Sequence, residues 1–241
     1  MKKSTVLSIL TIVVLIPATL YLGTRLTGRW YYLTSTLIIL ETMLPFFFAF
    51  ETRKPQAREL VTLAVMAALA VAGRVAIPIP NFKAITGIIM ITGIAFGPQA
   101  GFLTGAVAAF ASNFFFSQGP WTPWQMMGYG MGGFLAGVLF YNKKYEIQQN
   151  SLQYTILLAV FGFLSIVAFV GPLLDSCTIF TTGSKITLSF AFSILASGLP
   201  HNVTHGLACA VTMLVLSKPL LDKLDRLKIK YGMMEAGGDG I

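Results

Sequence analysis

Two histidines and a cysteine near the C-terminal end of the sequence have the spacing of one helical face. His201, His205 and Cys209 stand at i, i+4 and i+8, and Asn202 follows the first of them. Residues four apart on a helix share a face, and imidazole with thiolate can bind a metal ion. No carboxylate is near in sequence, so we predict no metal site. The alternatives are a polar wall facing a ligand and hydrogen bonds to neighbouring helices.

A second chemical signal lies in the segment 117–125, SQGPWTPWQ, which joins two apolar runs. Its prolines stiffen it, and its tryptophans offer broad flat surfaces. An interfacial aromatic belt has this composition, and so does an apolar binding surface with amides that orient a ligand. The loop 77–83 is similar in character and could form a second wall. The candidate substrate-binding residues are Asn81, Phe82, Asn113, Gln118, Trp121, Trp124, Gln125, His201, Asn202 and His205.

Small residues recur at helical spacing in three places. Ala64, Ala68 and Ala72 form a stripe just after the basic junction 53–55, and two GxxxG pairs begin at Gly101 and Gly133. Small side chains let helix backbones approach each other closely within a membrane. We therefore predict close packing at the glycines, and the alanine stripe is the best candidate for a face that docks on another membrane protein.

The composition predicts a membrane protein. Apolar types make up 55 % of the 241 residues, charged types only 11 %, and the mean hydropathy is +0.75. A soluble domain is about 25 % charged. The net charge of +8 is spread between apolar runs, which argues against nucleic-acid binding. The sequence lacks the P-loop, HExxH and GxSxG motifs, and we predict that it is not an enzyme and has no catalytic residues.

The elements that must position these residues are apolar helices. About 20 apolar residues cross the hydrocarbon core, and eight segments qualify or nearly qualify. We expect the stretch 186–199 to be separated from the last segment by a break at 197–200, because a single helix would exceed the bilayer. A basic tail, 218–230, should continue the last helix. The predicted segments are 4–23, 30–50, 57–76, 84–96, 98–116, 123–141, 153–172 and 200–217.

The distribution of lysine and arginine predicts the orientation. Most of these residues, including Lys2, Lys3 and the basic tail, fall in segments that would lie inside when the N-terminus is inside. Arg74 and Lys83 are among the few that fall outside. We therefore predict a multi-pass protein with both termini in the cytoplasm.

Residues 57–232 resemble the substrate-binding S components of energy-coupling factor (ECF) vitamin transporters. The resemblance rests on the alanine-striped helix, on GPQAG at 97–101 and on the stretch 113–125. The run GPWTPWQ and the tail LKIKYG at 227–232 look most similar to the cobalamin-type group. The two N-terminal segments depart from the usual pattern.

The resemblance implies an all-α, polytopic transmembrane helical bundle with a six-helix core and two additional N-terminal spans. It implies a bacterial cell-membrane protein that captures a vitamin from outside, cobalamin first, with riboflavin or a queuosine precursor as alternatives. Ala64, Ala68 and Ala72 would dock on a membrane coupling protein, which two cytoplasmic ATPases drive. The chain would hold no cofactor of its own, since the partners use the ATP. The implied domains are 1–52, 53–232 and a tail, 233–241.

Two other classes of function compete with this interpretation. A non-transport scaffold subunit would need packing faces but no pocket. A membrane enzyme could use His201, His205 and Asp175. Ligand binding separates the scaffold from the capture subunit, and loss of turnover in histidine variants would identify an enzyme.

Overall fold

A computed structural model describes residues 6–7, 10–25, 30–143, 151–182 and 186–233. The predicted all-α class is confirmed, and no strand occurs in these ranges. The predicted cytoplasmic termini and most of the 233–241 tail lie outside the described residues. The helices are α1 (Ile16–Arg25), α2 (Trp30–Thr52), α3 (Ala57–Val75), α4 (Ile85–Phe96), α5 (Pro98–Phe116), α6 (Trp121–Phe140), α7 (Ser151–Ser165), α8 (Gly171–Thr181) and α9 (Leu188–Tyr231).

Helix α4 forms the centre of the bundle. All of its residues from Ile85 to Phe96 are buried, as expected for a helix that is apolar on every side. It packs against α3, α5, α6 and α9. The predicted end of the fourth segment at Gly97-Pro98 is confirmed: Gly97 has a φ of 94°, which glycine adopts readily, and Pro98 opens α5 where its missing N–H costs nothing.

Glycines bring α5 and α6 into backbone contact. A Cβ added at Gly101 would lie 2.5 Å from the carbonyl oxygen of Gly133, and the reverse substitution gives the same distance. A Cβ at Gly105 would meet the backbone of Tyr129 at 2.6 Å. The prediction of close packing at these glycines is therefore confirmed.

The N-terminal helices pack on the bundle rather than standing apart from it. The Phe46 ring stacks on Phe102 with 4.1 Å between centroids and meets Phe134 edge-on. Met43 is buried beside them. Helix α2 thereby covers α5 and α6 and also touches α8, while α1 joins α2 through a 2.6 Å hydrogen bond from the Thr19 hydroxyl to the Glu41 carboxylate.

Two of the predicted segment boundaries are wrong. Helix α9 runs unbroken for 44 residues from Leu188 to Tyr231, so the break expected at 197–200 does not occur. Pro200 removes one backbone donor without ending the helix, as happens in membrane helices, and Gly198 packs directly against Asp175. The seventh segment is also longer than predicted, because a π-helical turn, Ile166–Val170, connects α7 to α8. The predicted helical tail is confirmed.

Length and hydropathy support only part of the predicted membrane topology. Among the described residues, two stretches are long and apolar enough to span a membrane: Pro98–Phe116 and Leu152–Thr181. Helix α4 is apolar but shorter. It needs no lipid-facing length, because other helices surround it.

Candidate functional site

A cavity of about 520 Å³ opens at one end of the bundle. We call this the cavity end, and the end where α4 meets α5 the distal end. The cavity lies between the α3–α4 loop, the end of α5, the start of α6, and the facing parts of α8 and α9. Its lining residues are Arg74, Pro78, Pro80, Asn81, Lys83, Phe116, Gln125, Tyr129, Leu174, Asp175, His201, Asn202 and His205.

Arg74 brings a cation to this cavity from the end of α3. Its Nη1 donates to the Ser112 hydroxyl at 2.5 Å and to the Asn113 side-chain oxygen at 2.9 Å. Its guanidinium also lies over the rings of Phe116 and Tyr129, at 4.8 and 5.8 Å from their centroids. Such cation–π contacts strengthen when water is excluded. In the sequence, Arg74 contributed only to the predicted orientation, although a charge at the end of an apolar helix is itself a signal of function.

The histidine face of α9 turns partly toward the cavity. His205 makes a 2.7 Å hydrogen bond with the Thr86 hydroxyl of α4 and meets the Tyr129 ring edge-on at 5.8 Å. His201 lines the cavity one turn earlier. Cys209 is fully buried against Met90 instead. The face therefore contributes both to the cavity wall and to internal hydrogen bonds.

Asp175 and Asn202 form a polar pair on the cavity wall. The Asn202 amide donates to the Asp175 carboxylate at 2.7 Å, and both residues line the cavity. Leu174 and Asp175, which both line the cavity, follow the π-helical turn before α8, and such turns are frequent at functional sites. Gly171 makes the packing possible, because a Cβ there would overlap the Asn202 side chain.

The loop between α3 and α4 closes one side of the cavity. Asn81 takes a φ of 58°, which asparagine tolerates better than most residues, and the Phe82 N–H donates to the Pro80 carbonyl at 2.8 Å. The Lys83 ammonium group donates to the Ile77 carbonyl and lies over Phe116. Asn81 and Lys83 line the cavity on either side of Phe82.

Four of the predicted residues from the Trp-rich region lie around the cavity rather than along it. Asn113 binds Arg74 and donates to Thr122 at 3.0 Å, and Gln118 accepts from Thr122 at 2.9 Å. Trp124 is 1 % exposed and donates from Nε1 to the Ser176 hydroxyl of α8, whereas Trp121 is 41 % exposed. The structure thus brings together Asn81, Gln125, His201, Asn202 and His205 along the cavity.

The alanine stripe is on the outside of the bundle. Ala64, Ala68 and Ala72 are all exposed on α3, while Leu63, Met66 and other residues of the same helix are buried. The described residues contain no group of three or more His, Cys, Asp or Glu side chains that could hold a metal ion.

The structure combines an all-helical bundle, a polar and aromatic cavity at one end and an exposed small-residue stripe, an arrangement expected of a membrane subunit that binds a small molecule. The family model described as "ECF-type riboflavin transporter, S component" matches residues 54–222, which is more than half of the chain. The chain belongs to this family of ECF transporter S components. No curated protein and no solved structure matches the chain.

Family membership confirms the resemblance to ECF transporter S components but not the resemblance to their cobalamin-type group. The chain is the substrate-binding membrane subunit of a vitamin transporter. It works together with a coupling protein and ATPases, and it is not an enzyme. The cobalamin-type assignment finds no support, and the matched family favours the riboflavin alternative instead.

Proposed function

We propose that this chain captures riboflavin in the cavity between α3, α6, α8 and α9 and presents it to the coupling protein. The cavity carries this proposal, because every residue that lines it lies inside the matched range 54–222. Its volume of about 520 Å³ falls among small-molecule sites, which occupy roughly 300–1,000 Å³. Cobalamin is a much larger molecule and would require the surrounding loops to open widely.

The chemistry of the cavity suits a flat ring system with a polyol chain. Phe116, Tyr129 and Leu174 supply aromatic and apolar surface, against which an isoalloxazine ring would bury its faces. The Asp175–Asn202 pair and His201 supply acceptors and donors for ribityl hydroxyls. A few placed polar groups within a largely apolar site are what orient a ligand.

Delivery would use the exposed face of α3. Ala64, Ala68 and Ala72 offer a smooth surface on which a helix of the coupling protein can pack closely. The additional helix α2 packs on α5, α6 and α8, while α3 packs on α4 and α5. The N-terminal pair therefore need not cover the stripe. We expect the chain to need no cofactor of its own, with ATP consumed by the partner ATPases.

Titration of the detergent-purified protein with riboflavin tests the proposal. We expect saturable quenching of flavin fluorescence at about one molecule per chain, and thermal stabilisation that reaches about 2.7 kcal/mol at 100 times the dissociation constant. Cobalamin and a queuosine precursor should neither bind nor compete. Absence of riboflavin binding by monodisperse, helical protein would refute the proposal, and failure of the whole panel would favour the scaffold.

A filled cavity provides the matched control for this titration. Leu174→Trp adds an indole to the cavity wall and should abolish riboflavin binding. Phe180→Trp on the same helix changes a side chain that is 40 % exposed and does not line the cavity, and it should bind as the parent does. Equal binding by both variants would place the riboflavin site elsewhere.

A further inference from the structure

Gln125 has an unused hydrogen-bonding group at the cavity. It lies one turn into α6 and, with Tyr129 at i+4, lines the cavity wall. Its side-chain oxygen is buried and has no hydrogen-bond partner among the described residues. Leaving a buried polar atom unpaired destabilises the fold, and most such atoms in folded proteins are paired.

Neighbouring amide side chains do have hydrogen-bond partners, so the missing partner is specific to Gln125. Asn113 binds both Arg74 and Thr122. Gln118 donates to the Phe110 carbonyl at 3.0 Å, and Asn202 donates to Asp175. Of the buried side-chain nitrogen and oxygen atoms described at this cavity, only the Gln125 oxygen lacks a hydrogen-bond partner, and it is therefore open to a donor from a ligand.

A primary amide presents an acceptor and a donor side by side in one plane. The complementary partner is a cyclic imide, in which an N–H lies between two carbonyl groups. The isoalloxazine ring of riboflavin carries such an edge at N3, so the N3–H can donate to Gln125 while a flanking carbonyl accepts from its NH₂ group. Corrin-type ligands have no equivalent ring edge.

From this geometry, and resting on the proposed riboflavin function, we infer that Gln125 binds the imide edge of the flavin and determines specificity for it. A site built to hydrogen-bond a ligand N–H rejects analogues that lack it, because its own polar group is then left unpaired. The cavity accordingly selects heterocycles with a free imide N–H and discriminates against those alkylated at that nitrogen.

The test compares riboflavin with N3-methylriboflavin on the parent protein, Gln125→Ala and Gln153→Ala, using the purified full chain. Gln153 is an exposed amide on α7, far in sequence from the cavity wall, and serves as the matched control. The parent and the Gln153→Ala variant should bind the methylated compound about tenfold or more weakly. Gln125→Ala should bind riboflavin about tenfold more weakly and lose most of the penalty for methylation.

The outcomes separate this inference from the function on which it rests. If the parent binds both flavins equally, or if Gln125→Ala keeps the full methylation penalty, Gln125 does not bind the imide and riboflavin capture still stands. If the parent binds neither flavin, the proposed function fails and the inference fails with it. Should Gln125→Ala not fold, Gln125→Met, which keeps the length of the side chain without its amide, takes its place in the same comparison.

Discussion

At the scale of single residues, the cavity wall combines permanent charge with neutral polar groups. The Arg74 guanidinium donates from Nη1 to Ser112 and Asn113 and lies over two aromatic rings. Replacing it would remove all of these contacts at once, so its loss would damage both the fold and the site. Residues that support a lining group without such a network allow a cleaner test.

Asn202 is the better residue for such a test. Asn202→Ala removes the amide that donates to Asp175 at 2.7 Å and frees this carboxylate to move. We expect riboflavin affinity to fall about tenfold, equal to about 1.4 kcal/mol, as measured by calorimetry. Asn142→Ala, at an exposed position at the end of α6, should leave the affinity unchanged. Equal affinities for the two variants would show that the pair does not orient the ligand.

Residue types alone indicated many of the cavity-lining side chains but not the side chains on other helices that contact them. The spacing of His201 and His205 and the amide of Gln125 pointed to ligand-facing groups, because polar side chains within apolar helices need a reason to be there. Thr86 and Leu174 could not be assigned, since their roles depend on helices that meet only in three dimensions. For the same reason, sequence could not reveal that Trp124 is buried against Ser176.

At the scale of helices, the glycines bring α5 and α6 into direct backbone contact. Gly133→Ala places a Cβ 2.5 Å from the Gly101 carbonyl oxygen, so the two helices must separate. We expect a loss of about 1–3 kcal/mol of stability, visible as a lower melting temperature in detergent.

Gly132→Ala is the matched control for that prediction. It lies one residue away on the same helix, and its added Cβ would meet its nearest neighbours, Met90 and Thr86, at 3.4 Å, which is ordinary contact. Alanine also has the higher helix propensity, so this variant should melt no lower than the parent. If both variants melt alike, the close approach does not limit stability.

The alanine stripe is a feature of helix α3 as a whole, because its three residues lie on one exposed face. Ala68→Trp places a bulky ring on the exposed face that we propose for docking. The variant should bind riboflavin normally in detergent but fail to co-purify with the coupling protein and the ATPases. Val211→Trp changes a residue on α9 that is 46 % exposed and should assemble normally. Assembly of Ala68→Trp would rule out the stripe as the docking face.

At the scale of the whole molecule, sequence periodicity predicted which helices exist better than where they end. The join at Gly97-Pro98 was predictable because glycine and proline act locally. The unbroken course of α9 through Pro200 was not, because packing of Gly198 against Asp175 involves residues far apart in sequence. The cavity was equally hard to predict from the sequence, because its lining comes from five separate segments of the chain.

Two cations close the distal end of the bundle on the same helix terminus. Arg53, between α2 and α3, donates to the Phe96 carbonyl at 3.0 Å and to Glu59 at 2.7 Å. Lys228, near the end of α9, donates to the Ala95 carbonyl and is only 4 % exposed. Positive charge at a helix C-terminus is favourable, so the α2–α3 junction and the last turns of α9 are both joined to the end of α4, far from the cavity.

Lys228→Met should therefore weaken the fold without changing the site. It keeps the apolar stem but leaves the Ala95 carbonyl without this donor, at a cost of about 1–3 kcal/mol, so the melting temperature should fall while riboflavin affinity is retained. Lys223→Met, an exposed position on the same helix, should have little effect on either the melting temperature or the affinity.

When Lys228→Met is combined with Arg53→Met, the losses of stability should be non-additive, because residues that contact one another or share a hydrogen-bond network couple energetically. Additive losses would mean that the two cations act independently, and a loss of affinity in Lys228→Met would show that the distal end is coupled to the cavity.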